Sequence, residues 1–73
     1  MKITDPGSFG AAIRKRRKEL HYTQAFIADF TGFSVSFISD LENGKKTVEL
    51  GKAIHLANTL GMDLLLNPRG KSE

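Results

Sequence analysis

The sequence predicts a single all-α domain of four helices, closed by a short segment that is either a strand or a fifth, one-turn helix. Three observations predict it. Apolar residues recur at three- and four-residue intervals through most of the 73 residues. Asp5-Pro6, Thr23, Ser34 and Thr47 each stand just before such a stretch, where a side-chain oxygen can accept from the free amides of a helix start. Gly32, Asn43-Gly44 and Gly61 stand just after, where a helix stop uses the left-handed conformation.

In chain order, the first helix runs from Pro6 to Leu20. Pro lacks only a hydrogen that the first turn leaves unbonded anyway. Phe9, Ile13 and Leu20 form the apolar stripe with Ala12 beside them, while Gly7 and Gly10 weaken the first turns. His21-Tyr22 break the pattern. The second helix, capped by Thr23, covers Gln24 to Phe30 or Thr31 and turns Ile27, Ala28 and Phe30 inward. Phe26 stands where a capping-box acid would, so Thr23 caps alone. Gly32 makes a turn with positive φ. The third helix, capped by Ser34, covers Val35 to Glu42 with Ile38 and Leu41 inward, and Asn43-Gly44 ends it. Lys45-Lys46 form a solvated loop. The fourth helix runs from a Thr47 cap through Leu60, with Glu49 favourable in its first turn and a stripe of Leu50, Ile54, Ala57 and Leu60 widened by Ala53. In Met62 to Asn67, a period of two puts Met62, Leu64 and Leu66 on one side of a strand, yet leucine favours helix. The organisation expected is one domain over 5–67 and a flexible tail over 68–73.

Eleven Lys+Arg against eight Asp+Glu leave a formal net charge of +3, and 40% hydrophobic with 26% charged residues excludes disorder along the whole length. The absence of cysteine excludes disulfides and thiolate sites. No apolar run approaches the ~20 residues of a membrane span or the ~7 of a secretory signal. The chain therefore reads as an intracellular protein without a membrane partner. Catalysis is not expected. His21 and His55 lie far apart, no glycine-rich phosphate loop follows a strand, and Asp40 and Glu42 cannot face each other two positions apart on a helix. No cofactor and no metal are expected. A core this small rarely supplies more than ~3–5 kcal/mol, which favours self-association.

Function is concentrated in the segment 24–43. Two short helices meet at a tight turn on Gly32, Ala28 is small where they cross, Phe33 can plug the corner, and Ile38 and Leu41 anchor the second helix from beneath. That is the spacing of a helix-turn-helix, whose second helix enters the major groove of DNA. The first helix carries Arg14-Lys15-Arg16-Arg17-Lys18, five residues that span more than one turn, so they cannot all face water. Arg16 and Arg17 both flank the apolar stripe. Glu42 lies on the inner side of the third helix, and a partly buried arginine needs such a carboxylate. Periodicity leaves both arginines open as its partner.

Arg17, Thr23-Gln24, Ile27-Ala28, Gly32, Ser34, Ile38 and Leu41-Glu42-Asn43-Gly44-Lys45 resemble the helix-turn-helix of the phage Cro/C1 repressor family, also called the XRE family. The resemblance covers nearly the whole chain. It implies a lambda-repressor-like domain of four or five helices, an Arg17–Glu42 salt bridge, and a grip on the DNA backbone by Gln24. A narrower resemblance joins Phe37 to Lys45, Leu50-Gly51-Lys52 and Leu60-Gly61-Met62 to HipB-type antitoxins. It implies a C-terminal strand that pairs with a dimer mate, a HipA-like serine/threonine kinase toxin as partner, repression of the shared operon, and a cytoplasmic, nucleoid-associated protein. His21 departs from the family, which usually has Gly at the end of the first helix; Thr31 and Phe26 replace a common aliphatic and a common acid.

On a double-stranded DNA operator, Thr23, Gln24, Ser34 and Asn43 would bond the backbone, and Lys45 and Lys46 would add charge. Val35, Ser36, Ser39 and Asp40 would face the bases, Val35 meeting a thymine methyl and Asp40 accepting from a cytosine amine. From Glu19 to Gly44 there are four acids and no Lys or Arg. Positive charge must therefore come from Lys45 and Lys46, and from Arg14, Lys15 or Lys18 if the first helix lies near the backbone. A shallow salt dependence is expected, with affinity built from two half-sites about one helical turn apart (~34–36 Å) in a homodimer. Met62, Leu64, Leu65 and Leu66 are the candidate dimerisation residues, unless Leu64 to Leu66 simply pack on the first and fourth helices. A protein-interaction module using Phe26, Phe37 and the acidic segment is the competing reading.

Overall fold

Asp5 starts the first helix by a reciprocal pair of bonds. Its carboxylate accepts the Ser8 amide at 2.7 Å, and the Ser8 hydroxyl accepts the Asp5 amide at 3.1 Å. The computed structural model describes residues 2–70, so of the expected tail only 68–70 lie within it. Four helices follow one another: α1 (Pro6–Glu19), α2 (Gln24–Thr31), α3 (Val35–Glu42) and α4 (Leu50–Thr59). Among the described residues there is no strand. Leu20 caps α1 rather than extending it, and His21 takes the left-handed conformation at φ 61°.

The α3 helix packs across both α1 and α2. Ile13, Ile27, Ala28, Ile38 and Leu41 form the core with Ala53, Leu56, Ala57 and Leu60 of α4, bordered by Phe9, Leu20, Phe33, Phe37, Val48 and Met62. Ala28 is buried in the core, and Gly32 ends α2 with φ 82° and a bond from its amide to the Ala28 carbonyl at 2.9 Å. Gly10 is the closest approach. A Cβ there would collide with the Leu41 carbonyl oxygen and lie 2.8 Å from that of Glu42, so α1 meets the end of α3 backbone to backbone.

Several expectations need correction. Phe30 is not on the inner face of α2: it is 70% exposed and stacks beside Phe26 at 6.5 Å between ring centroids. Thr31 takes the inward position instead, its hydroxyl donating to the Ile27 carbonyl at 2.7 Å and accepting the Phe33 amide at 3.2 Å. Thr47 does not cap α4. Residues 46–47 turn, Val48 packs inward, and the helix begins at Leu50 with Glu49 extended at its cap position and no side-chain cap bond. This rotates the buried stripe to Ala53, Leu56, Ala57 and Leu60; Leu50 is 67% exposed and Ile54 only half-buried. Of Asn43-Gly44, only Gly44 is left-handed, at φ 82°. Residues 62–67 form neither the one-turn helix nor, within one chain, a strand. Leu64 borders a groove with Ile3, Phe9 and Leu50, whereas Leu65 and Leu66 are 76% and 96% exposed and do not pack on α1 or α4.

Candidate nucleic-acid interface

The α3 helix has two faces with different tasks. Ile38 and Leu41 are fully buried, and Ser34 fixes the first turn by accepting the Phe37 amide at 3.0 Å. The opposite face presents Val35 (45% exposed) and Ser36 to solvent, with Ser39 and Asp40 half-buried beside them. Asn43 extends this face by donating to the Ser39 hydroxyl at 3.5 Å. Lys45 donates to Asp40 Oδ2 at 3.4 Å, so the acid on this face is tethered to the cation that follows the helix. Lys46 is exposed.

Behind α3 lies a buried fork. Arg17 Nε and Nη2 donate to Glu42 Oε2 and Oε1 at 2.6 and 2.9 Å. Its Nη1 donates to the Tyr22 carbonyl at 2.8 Å. Of the two arginines open as partners, Arg17 makes the contact. Arg16 instead sends Nε to the Leu60 carbonyl at 2.9 Å and tethers the end of α4 to α1. Sequence reasoning missed that role, whose only signal was a basic residue flanking the stripe. It also missed the close approach at Gly10, and the aromatic ladder of Tyr22, Phe26 and Phe30 along the outside of α2.

At the start of α2, Thr23 Oγ1 accepts the Phe26 amide at 3.0 Å. Gln24 is half-buried, and its Nε2 donates to Glu42 Oε1 at 3.1 Å. The carboxylate that anchors Arg17 therefore also orients Gln24. Burial pushes the Glu42 carboxyl up, but the bonds from Arg17 and Gln24 with the charges of Arg17 and Arg14 outweigh it and hold the group below its ordinary value. The bond to Glu42 likewise raises Arg17 against the opposing effect of burial.

The acidic run from Glu19 to Gly44 is largely compensated from outside itself. Glu19 pairs with Lys15 and Arg16, Asp40 with Lys45, and Glu42 with Arg17. Asp29 makes no ion pair among the described residues. The face formed by Gln24, the outer side of α3, Asn43 and Lys45-Lys46 is therefore not a net anionic surface.

Two short helices joined at a left-handed glycine, with the second presented outward and clasped from behind, define a helix-turn-helix domain. The helix-turn-helix family HTH_3 matches residues 13–66, and the chain belongs to this family of transcription regulators. It is 38% identical over 63 residues to the uncharacterized HTH-type transcriptional regulator y4mF of Sinorhizobium fredii (strain NBRC 101917 / NGR234), covering 86% of this chain and 83% of that one. It is 33% identical over 62 residues to the ImmF control region 10 kDa protein of Bacillus phage phi105, covering 85% and 69% respectively. Among solved structures, a single-substitution variant of HipB in complex with an O2 20mer superposes with a TM-score of 0.86 at 24% identity over 96% of this chain and 97% of that one. HipB in an O4 20mer complex gives 0.86 at 23% identity over 96% and 99%. At those identities the likeness is one of fold: an all-α, lambda-repressor-like domain. No helix among the described residues is long and apolar enough to cross a membrane.

Proposed function

We propose that the protein is a sequence-specific double-stranded DNA-binding repressor that acts as a homodimer on a near-palindromic operator. One observation carries this reading. The solvent face of α3 offers Val35, Ser36, Ser39 and Asp40 on a helix whose other face is immobilised by Ile38, Leu41 and the Arg17–Glu42 fork. In the bound state Thr23, Gln24, Ser34, Asn43, Lys45 and Lys46 meet the backbone, and the α3 face meets base edges. Lys45 holds only Oδ2 of Asp40, which leaves Oδ1 to accept from a cytosine amine.

The homodimer is supported by the unpartnered end of the chain. Met62 is half-buried, Leu64 borders the groove, and Leu65 and Leu66 stand in solvent on a backbone that pairs with no strand among the described residues. Pairing the same segment of a second chain would satisfy those amides and cover the leucines. Titration with the DNA upstream of its own gene, against a scrambled competitor of equal length, tests the reading. Preferential binding to the upstream fragment is expected; equal binding to both overturns it in favour of a protein-interaction module.

Within this class, the protein acts as an autorepressing antitoxin toward a HipA-like serine/threonine kinase toxin. The support is the fold shared with HipB and the resemblance of Phe37 to Lys45. The phage relative supports a second reading, a solitary repressor. Co-expression with the product of the adjacent gene decides between them: a kinase that co-purifies and is silenced supports the first, and an unrelated neighbour supports the second.

A further inference from the structure

The proposed interface is short of positive charge. The α3 helix carries none, Lys45 is paired with Asp40, and Lys46 is the one exposed cation beside them without an ion pair among the described residues. The basic run of α1 is the further reservoir, and the structure distributes its members unequally. Arg17 is consumed by Glu42 and Tyr22, Arg16 by Leu60 and Glu19, and Lys15 by Glu19. Arg14 and Lys18 make no side-chain ion pair or hydrogen bond among the described residues, and both are exposed.

Its position on α1 is fixed by its neighbours on the same side. A Cβ at Gly44 would lie 2.9 Å from Gly7 Cα, and one at Gly10 would lie 2.8 Å from the Glu42 carbonyl oxygen. Arg14 stands seven residues after Gly7, four after Gly10 and three before Arg17, spacings that share one side of a helix. The side of α1 that carries Arg14 therefore runs along residues 42–44 and toward the Glu42 carboxylate, on which Gln24 also converges. The charge of Arg14 acts on that carboxylate, consistent with this placement. Lys15 is turned about 100° away from Arg14 around the helix, and Lys18 stands one turn, about 6 Å, farther along it from the Gly7–Gly44 and Gly10–Glu42 approaches. Gln24 completes the arrangement. An amide nitrogen carries two hydrogens; one is given to Glu42, which leaves the other to donate outward.

We propose that Arg14 is a DNA-backbone contact, its guanidinium and the second Gln24 amide hydrogen flanking one phosphodiester beside Asn43. This rests on the DNA-binding reading above and identifies which residue of α1 supplies the charge. Arg14 then contributes to affinity without contributing to sequence preference, because a phosphate is the same at every base pair.

The test is the salt dependence of binding of the full-length protein to its upstream DNA, followed by fluorescence anisotropy for wild type, Arg14→Ala, Arg14→Lys and Lys15→Ala. Each phosphate neutralised contributes about 0.9 to the log–log slope, so losing one contact per protomer lowers the slope of a dimer by about 1.8. That drop is expected for Arg14→Ala, with binding weakened alike on operator and scrambled DNA. The slope should persist in Arg14→Lys, which keeps the charge, and in Lys15→Ala. Thermal melts identical to wild type verify that the fold is unchanged. A wild-type slope in Arg14→Ala overturns the proposal, as does a drop in Arg14→Lys equal to that in Arg14→Ala. Failure of the wild-type protein to prefer its upstream DNA overturns the DNA reading itself, a separate and distinguishable result.

Discussion

Glu42 gives stability a pH dependence of definite sign. Its carboxyl is held below the ordinary value of 4.5, so the fork is fully stabilising above that pH. The contribution is lost as pH falls through the folded-state value, where the native protein must take up a proton that the unfolded chain has already bound. Thermal melts between pH 7 and pH 3 should show a midpoint that is flat at first and then falls below about pH 4.5. Glu42→Ala should remove this step and cost about 3–5 kcal/mol, because Arg17 is left buried without a counter-ion. Replacing both partners by apolar residues should cost much less. His21 poses the reverse case. At φ 61° a Cβ is strained, and His21→Gly should raise unfolding free energy by about 1 kcal/mol in denaturant titrations. Legible at this scale was the need of a buried arginine for a carboxylate. Periodicity could not choose between Arg16 and Arg17; the family resemblance pointed to Arg17, which makes the pair, while Arg16 goes to the Leu60 carbonyl.

Elements whose ends are set by local chemistry were readable, and those set by packing were not. Thr23 and Ser34 accept amides three residues on, so α2 and α3 announce their starts. Thr47 has the same side-chain chemistry, but Val48 must reach the core first, which delays α4 to Leu50 and exchanges Leu50 for Leu56 in the buried stripe. Phe30 was misplaced for a related reason. Ile27 and Ala28 already fill the inner face of α2, and the polar Thr31 can turn inward because its hydroxyl bonds the Ile27 carbonyl. The two early glycines of α1 read locally as weak helix formers. Their reason lies in α3 and the loop after it, too far along the chain for periodicity to register. Gly10→Ala isolates that reason, since alanine is the better helix former. A local effect predicts stabilisation of about 1 kcal/mol, whereas the collision with the Leu41 carbonyl predicts destabilisation of about 3 kcal/mol. The second outcome is expected in urea unfolding.

The molecule as a whole is small, and a core of this size rarely supplies more than ~3–5 kcal/mol. The all-α architecture was legible because three caps and three left-handed stops fall between apolar stripes. The fate of 62–67 was not, because three consecutive leucines satisfy both periodicities and their cover is absent from a single chain. If a second copy provides it, Leu65→Asp combined with Leu66→Asp should leave the helices intact by circular dichroism yet give a monomer by light scattering at micromolar concentration. Binding to a two-half-site operator should fall toward that of a single half-site. A double variant that still scatters as a dimer would falsify the role of this segment in assembly.

Arg17 touches Glu42 on α3, shares that carboxylate with Gln24 of α2, and holds the Tyr22 carbonyl in the turn between α1 and α2. One guanidinium is thus a common fastener for three stretches of chain. Any thermal excursion that withdraws α1 dismantles the paired helices together, and their amides should trade hydrogen for deuterium at one shared rate. On this arrangement α3 should not persist as a helix on its own once α1 has withdrawn.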